Sequence, residues 1–275
     1  MVTMEEMVRP SVWAVKRAGM ELDGYQAAAL DEAKQYQAWC WSRQTGKSTA
    51  AAVRSCWQVM TRPDQLVLLF SNSLRQSMEL FRKVVRVYGG TEEGEPRRTD
   101  DNQYSLTLDN GSRVLSLPGS EESILGYSPN LVVIDEAAVV GDKFFKAVNP
   151  MLARSHGSLI VASTPRGKRG FFWHDVMKEP KDQWAVSYVR AEDSPHISPE
   201  FLQQQLELLG EDWFEQEYHC KFLETTGTLF SDDMINAIFT DDGRVLDRVE
   251  YDMKLDDEGN GWQQAFEMGS LDGGN

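Results

Sequence analysis

Trp41-Ser42-Arg43-Gln44-Thr45-Gly46-Lys47-Ser48, running on into Thr49, is the stretch that decides the fold. Ahead of it, residues 37–41 are short, apolar and aromatic, as a buried strand requires. Behind it, residues 47–60 carry Val53, Trp57 and Met60 at helical spacing and stop at Arg62-Pro63. A strand, a turn and a helix start gather unpaired amide donors and the positive end of a helix dipole around one point, which makes a cradle for phosphate. From there Lys47 reaches the β- and γ-phosphates of a nucleotide, and Ser48 offers its hydroxyl to magnesium. The standard spacing of such a loop has glycine at position 41, where this chain has tryptophan, so Gly-Lys-Ser draws its weight from the strand–loop–helix context.

Leu131-Val132-Val133-Ile134-Asp135-Glu136 supplies the complementary half. An apolar strand delivers two carboxylates to its C-terminal edge, where ligands collect in open α/β sheets. Asp135 there holds magnesium, directly or through water, and Glu136 orients or deprotonates the attacking water. Alone, this is slightly more often a strand end with solvated acids; paired with Lys47 and Ser48 it points to nucleotide hydrolysis.

Outward from these two sites, short apolar runs alternate with helical patterns, the signature of strands joined by helical crossovers into a mostly parallel sheet. Residues 66–70, 131–134, 159–162 and 184–189 read as further strands. Ser71 or Ser73 caps a helix that stops at Gly89-Gly90, and 198–209 and 212–220 read as helices parted by Gly210. Within 104–117, two alternating runs flank Asn110-Gly111, a hairpin signal that predicts an antiparallel part of the sheet. The fold class is α/β: a P-loop NTPase of the RecA-like (ASCE) kind, its mostly parallel sheet flanked by helices, with an antiparallel hairpin added. Beyond Thr225 the chain turns acidic and glycine-rich. The expected organisation is an N-terminal segment over 1–20, a P-loop ATPase domain over 21–225, and a linker with the possible start of another domain over 226–275.

The 275 residues are 41% hydrophobic, enough for a sizeable core, and no run approaches eighteen apolar residues. The start, Met1-Val2-Thr3-Met4-Glu5-Glu6, is acidic where a secretory signal is basic. Cys40, Cys56 and Cys220 lack metal-site spacing and fit a reducing cytoplasm. The net charge of −15 argues against a nucleic-acid surface, but residues from Glu224 onward carry −10 of it. The earlier part holds basic clusters at Arg82-Lys83-Arg86, Arg97-Arg98 and Arg166-Lys168-Arg169, each more often a solvated face than a DNA contact.

Two motifs are open in meaning. Tyr25-Gln26 either reads the adenine edge through an amide that donates and accepts, or is a polar pair on an N-terminal helix. Ser163-Thr164-Pro165 either senses the γ-phosphate with its hydroxyls or is a turn with a proline stop.

Together these segments resemble the large terminase subunit of tailed bacteriophages. Residues 42–48 are similar to that family's phosphate loop, which commonly lacks the first glycine. Tyr25-Gln26 is similar to its adenine motif, and 70–76 to the segment after its second strand. Gly126-Tyr127-Ser128-Pro129 with 134–138 is similar to its acidic motif, and Ala162-Ser163-Thr164-Pro165 to its coupling motif. Residues 214–222 and Gly227-Thr228-Leu229-Phe230 resemble the segment closing its ATPase region. The match runs over about residues 20 to 235 in the family's order.

The resemblance implies a motor ATPase that packages double-stranded DNA into a procapsid. Its cofactors are ATP and Mg2+, and it works in the cytoplasm of an infected bacterium. Its partners would be portal protein, small terminase subunit and like subunits in a ring, with no membrane. It assigns catalysis to Glu136, Lys47 and Arg43, and nucleotide contacts to Tyr25, Gln26, Ser42, Arg43, Gln44, Thr45, Gly46, Lys47, Ser48, Thr49, Asp135, Ser163 and Thr164. Ser48 and Asp135 would hold the magnesium.

Two departures carry expectations. Family members often have an arginine just before the Gly126 position that reaches a neighbour's γ-phosphate; Leu125 stands here. Such an arginine contributes about a thousandfold or more to turnover, so slow hydrolysis with ATP binding intact is expected unless Arg154, Arg166 or Arg169 substitutes. Full-length members continue into an RNase H-like nuclease. Gly269-Ser270-Leu271-Asp272 reads either as the first strand and acid of one or as a glycine-rich tail, and no DNA cleavage is expected from this chain alone. The alternative functions are a superfamily 2 helicase-like translocase and a nucleotide-binding interaction module.

Overall fold

The computed structural model describes residues 2–89, 95–100, 102–124, 126–224, 253–255 and 262–264. Gly90, Leu125, residues 227–230 and residues 269–272 lie outside the described residues, as do the expectations placed on them. Residues Met1–Thr225 form one compact unit and Thr226–Asn275 a second, in which strands Met253–Leu255 and Trp262–Gln264 pair antiparallel.

In the first unit, helices α1 (Met4–Val8), α2 (Pro10–Ala18) and α3 (Gly24–Leu30) lead into strand β1 (Tyr36–Trp41) and helix α4 (Lys47–Thr61). Next come β2 (Leu66–Ser71), α5 (Leu74–Gly89), β3 (Ser105–Thr107) and β4 (Arg113–Pro118). The unit ends with β5 (Leu131–Asp135), α6 (Asp142–Ser155), β6 (Ser158–Ser163), β7 (Trp184–Val189), α7 (Pro199–Leu209) and α8 (Glu211–Glu217). The strands form one seven-stranded sheet in the order β3-β4-β2-β5-β6-β1-β7. All pairings are parallel except β3 with β4.

Strand residues alternate between two cores, because successive side chains leave opposite faces of a pleated strand. Trp39, Trp41, Val67, Leu69, Leu131, Val133, Ile160 and Ala162 pack on one face with α2, α4 and α5. Ala38, Cys40, Leu68, Phe70, Val132, Ile134, Leu159 and Val161 pack on the other with α6. Burial on both faces is why these strands read as continuous apolar runs. No helix among the described residues is long and apolar enough to cross a membrane.

The antiparallel hairpin expected within residues 104–117 is present at one edge of the sheet. Gly111, at φ +83°, closes its turn, but only β3 runs against its neighbours. β4 lies inside the sheet, parallel to β2 from Leu66↔Arg113 to Ser71↔Pro118. A hairpin signal names two partners and is silent on which of them faces the rest of the sheet. Two helical regions were not anticipated. Pro150 sits inside α6 and hides its periodicity. Residues 1–20 form α1 and α2, and Trp13, fully buried, joins the α4 face of the core. The helix expected over 212–220 ends at Glu217; Cys220 has φ +58°, and the chain there turns back so that the Tyr218 carbonyl accepts from Ala191 N–H.

Candidate functional site

Parallel register fixes the site. Cys40 on β1 pairs with Ser163 on β6, and Ala162 on β6 with Asp135 on β5. The carboxyl ends of three adjacent strands therefore stand level, and two strand spacings of about 4.8 Å separate the outer two. Directly above that edge lies a cleft of about 910 Å³, lined among others by Arg43, Gln44, Gly46, Lys47, Ser48, Glu136 and Thr164.

The loop after β1 owes its shape to left-handed backbone at Gln44 (φ +62°) and Gly46 (φ +79°). A Cβ at Gly46 would strike the side-chain amide nitrogen of Gln26, so glycine is required there twice over. Trp41 explains the missing first glycine. It remains in β1, paired with Val189, its ring stacked 5.1 Å from Trp39 and its indole N–H donating to Ser187 Oγ. The loop begins only beyond it. Thr49 and Ala50 amides both donate to the Gly46 carbonyl, leaving the Lys47 and Ser48 amides at the open mouth of α4. Lys47 is 8% exposed, and its ammonium donates to the carbonyls of Trp41 (2.9 Å) and Ser42 (3.1 Å).

On the facing strand, Asp135 is buried and its Oδ1 accepts from Glu136 N–H at 3.1 Å. Glu136 has φ +53° and ψ +43°, a left-handed conformation that costs a non-glycine residue about 1–3 kcal/mol. Burial, then the neighbouring Asp135 charge, pushes its carboxyl above the ordinary 4.5, against the pull of Lys47, Arg166 and Arg43. A carboxylate raised in this way is suited to taking a proton.

Several expected contacts turn inward instead. Gln26 Oε1 accepts from Asp23 N–H, capping α3, and its Nε2 donates to the Thr45 carbonyl, bracing the loop. The Tyr25 hydroxyl lies 2.7 Å from Asp23 Oδ2 and 3.0 Å from the Thr45 carbonyl; burial and Asp23 push its phenol to about 12. Thr45 Oγ1 donates to the Ser42 carbonyl, Ser42 Oγ to the Arg43 carbonyl, and Ser163 Oγ accepts from Ala138 N–H. In this geometry Tyr25, Gln26, Ser42, Thr45 and Ser163 brace the site with their side chains.

Glu217, at the end of α8, has no role legible in the sequence. Its carboxylate, 2% exposed, accepts from Arg43 Nε at 2.5 Å and from Arg166 Nη1 at 2.6 Å. Asn72, Gln76, Lys83 and Arg169 also line the cleft. Lys83 and Arg169 belong to basic clusters read as solvated faces; only the fold brings them here.

Magnesium fits the donor set. Ser48 faces the cleft, and Asp135, buried at the end of β5, spends one carboxylate oxygen on Glu136 N–H. That suits a cation that takes one or two protein ligands and fills its remaining positions with phosphate oxygens and water.

Comparison with known proteins agrees with this architecture. The family model described as terminase large subunit, T4likevirus-type, N-terminal, matches residues 40–237. The large terminase subunit of Escherichia phage T5 is 25% identical over 207 residues, covering 72% of this chain and 46% of that protein. The large terminase ATPase domain of Thermus phage P74-26 superposes with a TM-score of 0.63 at 19% identity, over 78% of this chain and 99% of that domain. The large terminase of bacteriophage D6E, solved with ADP, gives a TM-score of 0.61 at 13% identity, over 78% of this chain and 53% of its own. At these identities the structures speak to the fold. The chain spans about half the length of the curated relatives it matches.

Proposed function

This chain belongs to the phage large-terminase family, in its T4likevirus-type N-terminal region, and on that premise we propose that it hydrolyses ATP to drive double-stranded DNA into a procapsid. The observation that carries this reading is the single cleft shared by Lys47, Ser48 and Glu136. The related D6E protein binds ADP, and the P74-26 domain of the same fold is an ATPase domain.

The chemistry follows from the side chains. Lys47 turns from the Trp41 and Ser42 carbonyls to the β- and γ-phosphates, while the Lys47 and Ser48 amides bind their oxygens. Ser48 and Asp135 would hold a magnesium ion, which would supply positive charge against the phosphates. Glu136 accepts a proton from water as its oxygen bonds to the γ-phosphorus, and the bond from that phosphorus to the β-phosphate oxygen breaks, leaving ADP and phosphate. Tyr25 and Gln26 act by holding the loop through Thr45, and Thr164 faces the γ-phosphate from the end of β6. The partners of this reading are portal protein, small terminase subunit and like subunits in a ring around DNA, in the cytoplasm of an infected bacterium. Family membership favours packaging over a helicase-like role.

Phosphate release with and without linear double-stranded DNA tests it. Wild type should be stimulated by DNA. Lys47→Ala should weaken ATP binding about tenfold to a hundredfold. Glu136→Gln should bind ATP but turn over about a hundredfold to ten-thousandfold slower. Equal turnover by Glu136→Gln and wild type would remove Glu136 from the chemistry.

A further inference from the structure

Arg43 and Arg166 come from the two loops that face the nucleotide, one following β1 and the other following β6. Both line the cleft that holds Lys47 and Glu136. Each is tied to the same buried carboxylate, Arg43 Nε to Glu217 Oε2 and Arg166 Nη1 to Glu217 Oε1. The backbone repeats the link: Arg43 N–H donates to the Glu217 carbonyl at 3.2 Å, and Gly167 N–H donates to Gln216 Oε1 at 3.0 Å.

Two guanidiniums converging on one cleft repel each other, and neither has a fixed place on a loop. A single carboxylate between them removes the repulsion and engages one N–H of each. A guanidinium carries five N–H donors in a rigid plane, so four on each arginine remain for other acceptors, in a plane already oriented. Arg43 keeps 52% of its side chain exposed and Arg166 keeps 23%, whereas Glu217 keeps 2%. The arginines are thus open to an anion in the cleft and Glu217 is closed to it. A carboxylate sequestered to this degree, with both oxygens used on cations that themselves face a ligand, is placed to act through those cations.

We infer that Glu217 is a positioning residue, holding Arg43 and Arg166 in the orientation in which they meet the terminal phosphate of the bound nucleotide. The inference rests on the ATPase reading and extends it to a residue outside both nucleotide-binding motifs. Its consequence is selectivity. Lys47 and the α4 amides hold the β-phosphate that ATP and ADP share, and the two arginines add to Lys47 at the γ-phosphate, which only ATP carries.

The experiment uses the full chain, with Glu217→Gln, Arg166→Gln and the double variant. It measures kcat, KM for ATP, melting temperature, and affinities for ADP and for ATPγS, a slowly hydrolysed analogue. A glutamine keeps the shape but cannot bridge two cations as an ion pair. Glu217→Gln should lower kcat and ATPγS affinity about tenfold to a hundredfold and leave ADP affinity within about threefold of wild type. Arg166→Gln should show the same selective pattern, and the double variant should lose much less than the two single losses combined, as members of one unit do. Glu217→Asp, one methylene shorter, should fall between wild type and Glu217→Gln. A Glu217→Gln protein with wild-type kcat and an unchanged ATPγS-to-ADP ratio overturns the inference. So does a lowered melting temperature with ADP and ATPγS affinities falling together, which marks a purely structural ion pair. If wild type itself neither binds nor hydrolyses ATP, the ATPase reading fails and this inference falls with it; wild-type turnover beside an indifferent Glu217→Gln defeats this inference alone.

Discussion

Glu136 sits in a left-handed conformation that glycine would occupy without strain, with φ at +53°. The protein thus accepts a local cost to aim a carboxyl into the cleft, the usual trade at a reacting site. Glu136→Gly should therefore stabilise the fold by about 1 kcal/mol, raising Tm by about 2–4 °C for a unit of this size, while hydrolysis collapses. Differential scanning fluorimetry beside a phosphate-release assay checks this, and a lowered Tm would show that the side chain is needed for the fold. The pH dependence follows from the direction of the Glu136 shift. Burial and Asp135 raise its carboxyl above 4.5, and in the proposed role as base it must be ionised to work. Turnover should therefore rise with pH through an apparent pKa above the ordinary glutamate value, and the limb should vanish in Glu136→Gln. At this scale residue type pointed to Lys47, Ser48, Asp135 and Glu136, and the fold brings Lys47, Ser48 and Glu136 to one cleft. Glu217 did not, because its role lies in which two cations reach it.

Glu6 ties the first two helices to each other and to α4. Glu6 on α1, 3% exposed, accepts from Arg17 on α2 through both oxygens, at 3.1 and 3.2 Å, while its carbonyl accepts from the Trp57 indole of α4. The Arg17 guanidinium, then the Thr3 amide, holds the Glu6 carboxyl at about 2 against an ordinary 4.5. A depressed acid stabilises the fold while ionised. The contribution is complete above pH 4.5 and is lost as pH falls toward 2. Glu6→Gln should lower stability by about 1–3 kcal/mol at neutral pH, and the gap from wild type should close in melts taken at falling pH. A gap that persists unchanged to pH 2 would assign the loss to packing. Among elements, β1, β2, β5 and β6 were legible because strands buried on both faces are largely apolar, and the edge strand β7 because it is rich in aromatic and β-branched residues. α6 was obscured by Pro150, and the inner position of β4 was invisible because pairing with β2 is a contact between residues forty-seven positions apart.

Across the whole chain, residues Met1–Thr225 contain the sheet, both cores and the cleft. The stretch from Glu224 onward holds −10 of the −15 net charge. A protein ending at Thr225 should accordingly keep the melting transition and ATP affinity of the full chain; circular dichroism and a fluorescent-nucleotide titration measure both. Lost binding in a well-folded 1–225 protein would mean that later residues complete the site. Local basic residues show why net charge was a weak guide to partners. Lys83 and Arg169 are far apart in sequence yet line one cleft, and their potential acts there whatever the sum over the chain.

By itself the sequence determined the alternating strand–helix order, the phosphate loop with its lysine, and the strand that ends in two acids. Each is a local pattern, set by periodicity and by what a helix start or a strand end does to its own neighbours. Only the tertiary structure decided that three strand ends stand level, that Trp41 stays in the sheet, that Gln26 braces the loop, and that Glu217 joins Arg43 to Arg166. These are agreements between segments up to about 170 residues apart, reached when the two faces of the sheet are buried together, and no window along the chain contains them.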